Sequence, residues 1–217
     1  MQTETKERLL LAALQVFAEK GYRGATVREI AQAAGSANLS AINYHYGGKE
    51  NLYRAALEHV FQDSARKTRY QPQPERAAED DLGAFILDTC RMLYGEESEI
   101  DAQRAAIFIH EMANPSPFLD EMVRQYLMPG GLRFHGLLRR FLGVQAPEQL
   151  VRDCALSIMG QILYYLFCWP VLTRVVPGHP GMRQHLEHVA GHVTRFSLAG
   201  LHQARRTEDQ ASKEAEP

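Results

Sequence analysis

Asn43, Tyr44, His45 and Lys49 fall within seven residues of one another in the run Asn-Tyr-His-Tyr-Gly-Gly-Lys. Asparagine, tyrosine and histidine can exchange hydrogen bonds with base edges, asparagine pairing especially well with adenine. A lysine behind a glycine pair can neutralise a phosphate. Upstream, Thr26 and Arg28 stand where a helix begins, and free backbone N–H groups at such a point attract phosphate. Each residue also has a plainer reading. The Thr26 hydroxyl, Asn38 and Ser40 can simply cap helices, the reading favoured for Asn38, and Tyr46 suits a small core. No Lys or Arg lies between Gly35 and Gly48, so sequence discrimination would rest on neutral side chains and DNA shape.

These side chains need short helices to hold them. Leu10, Ala13, Leu14, Phe17 and Ala18 share one face of a first helix that stops at Lys20-Gly21. Thr26-Val-Arg-Glu29 has the form of a capping box and starts a second helix ending near Ala34-Gly35. A third helix is expected over about Leu39 to Tyr44, broken by Gly47-Gly48, and a fourth from Lys49 to about Lys67. Val27, Ile30, Ala31 and Ala34 would meet Ile42 in a small core, leaving the third helix, with Ser40, Ala41, Asn43, Tyr44 and His45, free for a major groove. That is the sequence form of a helix-turn-helix.

Thr26-Val-Arg-Glu-Ile-Ala-Gln-Ala-Ala-Gly35 followed by Ala41-Ile-Asn-Tyr-His-Tyr-Gly-Gly-Lys-Glu-Asn-Leu-Tyr53 resembles the DNA-binding domain of TetR/AcrR-type regulators, and Lys6 to Gly24 fits their first helix. The resemblance implies that Lys49 contacts a backbone phosphate and that Tyr44 and His45 touch DNA. Asn43 stands where many members carry tyrosine. Between Gly35 and Lys49 the chain holds one residue more than the family's usual spacing, with Ser36 the extra turn residue. Glu111-Met-Ala-Asn-Pro-Ser-Pro-Phe-Leu119, Ala155-Leu-Ser-Ile-Met-Gly-Gln161 and Thr194-Arg-Phe-Ser-Leu-Ala-Gly200 resemble a sub-branch whose C-terminal domain is called CerR- or CecR-like. That likeness implies a C-terminal domain that senses a small-molecule effector and forms a homodimer. A repressor released from a palindromic operator by its ligand is the function it implies. A DNA-organising or protein-binding helix-turn-helix without a ligand is the main alternative. An enzyme would need a nucleophile–base pair or a phosphate loop, and none is grouped in the sequence.

The remaining chain is helical in period, so the fold expected is all-α, a three-helix DNA-binding head followed by a helical ligand-binding and dimerisation domain. Further helices are read at about 75–94, 101–113, 117–127, 132–142, 147–172 and 182–203, with Pro129-Gly130-Gly131 kinking or interrupting one pair. Pro72 and Pro74 mark a boundary, giving domains 1–70 and 71–204, with 205–217 expected to be a disordered tail because it lacks apolar anchors. The net charge of -2 divides unevenly: residues 1–70 carry ten Lys or Arg against seven Asp or Glu, so the rest is acidic. A basic head on an acidic body suits a protein that offers one end to duplex DNA.

Phe108, His110, Met112, Phe134, Met159, Tyr164 and Tyr165 are candidate lining for the effector pocket, though side chains of these kinds more often simply fill a core. His185, His188 and His192, the last two spaced i,i+4, raise a metal question; without a convergent cysteine they read as surface or interface residues, and no metal or cofactor is expected. Cys90, Cys154 and Cys168 form no C-x-x-C pair and suit buried reduced thiols. Cys154 to Thr173 runs without a charge, long enough for a membrane span, but a helix apolar all round also describes the centre of a helical domain, the reading preferred here. The charged start Met1 to Glu7 is unlike a secretory signal, so a cytoplasmic protein without membrane attachment is expected.

Overall fold

The structure, a computed structural model, describes residues 2–35, 40–95 and 99–214. Among the described residues ten α-helices follow in chain order: α1 (Gln2–Gly24), α2 (Val27–Ala33), α3 (Ser40–Tyr46), α4 (Lys49–Lys67), α5 (Ala78–Tyr94), α6 (Glu99–Ala113), α7 (Leu119–Met122), α8 (Met128–Leu142), α9 (Glu148–Val175) and α10 (Met182–Glu214). A π-helical segment, Val123–Leu127, lies between α7 and α8. No strand occurs among the described residues, and the fold is all-α.

Two compact units are present, one of Met1–Lys67 with Glu96–Leu127, the other of Thr68–Gly95 with Met128–Pro217. The units follow packing rather than chain order. The second begins next to the proline-marked boundary, but α6 and α7 return to the first, because Ile107 enters its core and Phe108 and Met112 pack against it.

In the first unit Leu9, Ala13, Leu14 and Phe17 of α1 are buried with Ile30 and Ala31 of α2, Ile42 of α3 and Leu52, Tyr53, Ala56, Leu57, Val60 and Phe61 of α4. The helical turn at the end of α1 is broken at Gly21, whose φ of 66° lies in the left-handed region that glycine tolerates. A polar clamp joins α4 to α6. Arg104 reaches Asp63 at 3.0 Å, Asp101 at 2.9 Å and the His59 ring at 2.7 Å, while Lys67 reaches Asp63 at 3.0 Å and Asp101 at 2.5 Å.

His59 can accept from Arg104 only while its Nε2 is unprotonated. Burial and then the Arg104 charge hold the imidazole below its ordinary range. The unfolded chain therefore takes up this proton first as pH falls. The clamp's contribution is complete above about pH 6.5 and is lost as pH drops through that value toward the lowered folded value. Melts run from about pH 8 to pH 5 are expected to show a fall in Tm that His59→Asn flattens. Identical pH dependence in the two proteins would refute the assignment.

The second unit packs α5, α8, α9 and α10 around Leu82, Ile86, Cys90, Leu137, Leu138, Phe141, Val151, Ile158, Ile162, Val189 and Val193. Phe85 stacks on Phe134 with centroids 4.2 Å apart, and Tyr70 meets Phe85 edge-on. Two carboxylates of α5 tie down the chain that enters this unit. Asp88 accepts from the backbone N–H groups of Arg69 and Tyr70, at 3.0 and 2.9 Å, and buried Asp81 accepts from Gln73 N at 3.4 Å and Arg140 Nη1 at 2.8 Å. Burial, then Asp81, pushes the Tyr70 hydroxyl up to about 12.

Three expectations are changed. Pro129 does not end a helix: the wider π turn just before it absorbs the missing N–H and the ring, and α8 continues. The tail expected to be disordered extends α10 as far as Glu214. Good helix formers and local pairs, Arg206 Nη2 to Gln203 Oε1 at 2.8 Å and Thr207 Oγ1 to the Gln203 carbonyl at 3.1 Å, supply what apolar anchors do not. Helix α9, which carries the charge-free run from Cys154 to Thr173, is central on one side only. Val151, Ile158 and Ile162 are buried, whereas Leu156, Tyr164, Phe167, Val171 and Val175 form an exposed stripe at helical spacing. α9 is long and apolar enough to cross a membrane, with 11% of its most apolar window buried.

Candidate nucleic-acid interface

The expected capping box is complete. Thr26 Oγ1 accepts from Glu29 N at 3.3 Å, and the Glu29 carboxylate accepts from Thr26 N at 3.0 Å and from the Thr26 hydroxyl at 2.8 Å. Capping therefore accounts for Thr26 by itself. Lys20 pairs with Glu29 at 2.5 Å. That contact, with Thr26 second, holds the Glu29 carboxyl down to about 2, so the box stays charged at any pH where DNA is intact. Arg28 is exposed on the first turn of α2.

Helix α3 begins at Ser40 and extends two residues beyond the expected Tyr44. Ile42 is its single buried residue. Ser40, Asn43 and Tyr44 are exposed, Tyr44 to 73%, and Ala41 and His45 are half-buried. The Tyr44 and His45 rings meet edge-to-face at 5.0 Å. The expected cap Asn38 and the extra turn residue Ser36 lie outside the described residues.

Tyr46 anchors the helix. Its hydroxyl donates to the Lys6 carbonyl at 2.8 Å, the Lys6 ammonium sits 5.5 Å above its ring, and burial raises its hydroxyl above the ordinary range. Gly47 and Gly48, at φ 75° and 129°, then turn the chain into α4. A Cβ on Gly47 would meet only the end of the exposed Asn51 side chain, at 3.0 Å, which can turn aside, so it is the positive φ that calls for glycine there. Lys49 opens α4 with its ammonium 4.9 Å from the centre of the Tyr22 ring. Tyr22 and Lys6 were not singled out from sequence. The only signal was that Tyr22 follows Gly21 at the helix break, since contacts across the fold leave no local pattern.

The seven candidate pocket residues are divided between the two units. Phe108 meets Phe61 edge-on at 5.9 Å, Met112 packs on the same first core, and His110 lies beside Gly21. Phe134, Met159 and Tyr165 belong to the second core, and Tyr164 is exposed on α9. His185 stacks on His188 at 4.5 Å and meets His179 at 4.8 Å. Among the described residues no group of three or more His, Cys, Asp or Glu side chains is placed to hold a metal ion. Cys90 is buried, and Cys154 and Cys168 are half-buried free thiols.

Residues 9–56 match the family model for bacterial regulatory proteins of the tetR family, and residues 78–201 match that for the C-terminal domain of the HTH-type transcriptional dual regulator CecR. The chain is 30% identical over 173 residues to the HTH-type transcriptional dual regulator CecR of Shigella flexneri, covering 75% of each protein. It is 36% identical over 88 residues to the HTH-type transcriptional repressor NicS of Pseudomonas putida, 39% of this chain and 41% of that one. In fold it is similar to the transcriptional regulator FadR of Bacillus subtilis, solved in complex with stearoyl-CoA. The TM-score is 0.62 over 87% of this chain and 97% of that chain, at 17% identity.

Proposed function

The chain belongs to the tetR family of bacterial regulatory proteins and carries a CecR-type C-terminal domain, and we propose that it is a repressor whose hold on a palindromic operator is released by a small-molecule effector. The observation that carries this reading is the capped α2 followed by an α3 that buries Ile42 alone and turns Tyr44 and its neighbours outward. In this reading Ser40, Ala41, Asn43, Tyr44 and His45 enter the major groove, and Thr26, Arg28 and Lys49 hold phosphates on either side.

The protein works as a homodimer in the cytoplasm, without catalysis. The exposed stripe Leu156, Tyr164, Phe167, Val171 and Val175 on α9, with Phe196 on α10, supports dimerisation, since so much apolar surface on adjoining helices needs a cover. A second copy brings a second α3, matching half-sites about one helical turn or more apart. Functionally, 1–70 is the DNA-binding part and 71–204 the part that binds effector and partner copy. The Phe85–Phe134 stack, in the core against which Tyr165 also packs, offers apolar surroundings for an effector. The stearoyl-CoA bound to FadR is a ligand of that kind on a similar fold. Release requires only that the effector bind the non-DNA-binding arrangement more tightly than the other.

The test is Tyr44→Ala and His45→Ala against duplexes selected by the parent protein from a random pool, at fixed salt. Each substitution is expected to weaken binding by about 1–3 kcal/mol per half-site and to relax preference at one position. Unchanged sequence preference in both variants would overturn the placement of α3.

A further inference from the structure

Glu111, at the last turn of α6, is fully buried, and it is met there by hydroxyl and backbone N–H donors. Its Oε2 accepts from the Tyr53 hydroxyl at 2.7 Å, and its Oε1 accepts from Ser116 N at 2.9 Å and Ser116 Oγ at 2.8 Å. Tyr53, on α4, is itself buried, with its ring edge-on to Phe17 at 4.8 Å and 4.7 Å from the Tyr22 ring. Lys49 rests on that same Tyr22 ring. One carboxylate thus stands three contacts away from the ammonium that opens α4, all within the first unit.

We propose that Glu111 is a positioning residue for DNA binding, setting the Lys49 ammonium through the rings of Tyr53 and Tyr22. This rests on the reading that Lys49 contacts a phosphate. A lysine stem carries about 2 kcal/mol of rotamer entropy, so a lysine aimed beforehand binds more tightly than a free one. The Tyr22 face supplies the aim: a cation over an exposed aromatic ring is held by about 0.5–1 kcal/mol, and the ammonium keeps donors for a phosphate oxygen. Burial and then Glu111 push the Tyr53 hydroxyl far above its ordinary range, so it remains a donor. Without its acceptor that buried O–H would have to turn toward another partner, because leaving it unsatisfied is costly. Rotation about the C–O bond sweeps only the hydrogen around a fixed oxygen, so reaching a different partner tilts the ring on which Tyr22 leans.

The same contacts give a task to the segment Glu111-Met-Ala-Asn-Pro-Ser-Pro. Its glutamate and serine close on each other, and Ser116 Oγ also accepts from Phe118 N at 3.2 Å, which fixes the turn leading into α7. Residues matched to the C-terminal family model therefore end up bonded to a side chain of α4, at the base of the DNA-binding head.

The experiment measures affinity of the full chain for a fluorescent duplex selected from a random pool, across a salt series, beside thermal melts. Lys49→Ala is expected to weaken binding and to reduce the slope of log K against log salt by about one per half-site. Tyr22→Phe keeps the ring face and is expected to match the parent, whereas Tyr22→Leu behaves like Lys49→Ala. Tyr53→Phe and Glu111→Gln are each expected to weaken binding about 5- to 30-fold over two half-sites, and to add nothing when Lys49 is already alanine. The proposal is overturned if Tyr53→Phe and Glu111→Gln lower Tm but leave affinity and slope at parental values, or if they weaken binding equally with and without Lys49. A Lys49→Ala protein with parental affinity and slope would instead overturn the phosphate contact beneath it. Tyr22→Phe against Tyr22→Leu keeps the test decisive should a Glu111 variant fail to fold.

Discussion

Replacing Asp81 by alanine is expected to lower the free energy of unfolding by about 3–5 kcal/mol, the range for removing one partner of a buried ion pair. Asp81 is fully buried, its Oδ2 faces Arg140 at 2.8 Å, and Arg76 lies 3.9 Å from Oδ1. Without the carboxylate, Arg140 loses its counter-charge, the Gln73 N–H loses its acceptor, and the entry segment 69–76 is left with the Asp88 bonds and the Tyr70–Phe85 contact to hold it on α5. The Arg140 side chain is about one-third exposed, so water recovers part of the loss and the lower end of the range is expected. Denaturant titration at fixed protein concentration gives the number. Exchanging both partners for leucine should restore most of it, because a well-packed apolar pair avoids the desolvation of two charges. An Asp81→Ala protein within about 1 kcal/mol of the parent would mean that the pair is incidental to stability.

Val171→Glu is the second large effect, and it falls on assembly rather than on folding. Val171 is 59% exposed on the apolar stripe of α9, so the isolated chain should tolerate glutamate with little change in helicity. In a two-fold dimer one substitution enters the seam twice, and two unpaired carboxylates taken out of water cost several kcal/mol each. Sedimentation is expected to show monomers for the variant and dimers for the parent. Operator binding should weaken by about 10²–10⁴-fold as the linkage between two heads is lost. A Val171→Glu protein that stays dimeric and binds DNA as the parent does would remove this stripe from the interface.

The features readable in the sequence were those that residues decide with near neighbours. Thr26 and Glu29 are three apart, and their mutual hydrogen bonds start α2 where the pattern placed it. Gly47 and Gly48 end α3 because their backbone angles admit little else. Glu111 and Tyr53 are 58 positions apart, and no periodicity announces such a pair. The return of α6 to the first unit was hidden for the same reason. Hydrophobic pattern also cannot separate burial within a chain from burial between chains, which is why α9 read as a central helix although one of its faces is bare. Residue type alone could not place Phe108 and Phe134 in different cores.

Helix α3 has seven residues and one buried side chain. A helix of two turns has almost no stability of its own in water, because nucleation costs more than so few hydrogen bonds return. Its order is therefore borrowed from Ile42 beneath it, from the Tyr46 tether to the chain near Lys6, and from the glycine turn into α4. Those holds lie on the inner side and toward the C-terminal end of α3. A change at any of them would unsettle the whole short helix without altering one of its exposed side chains.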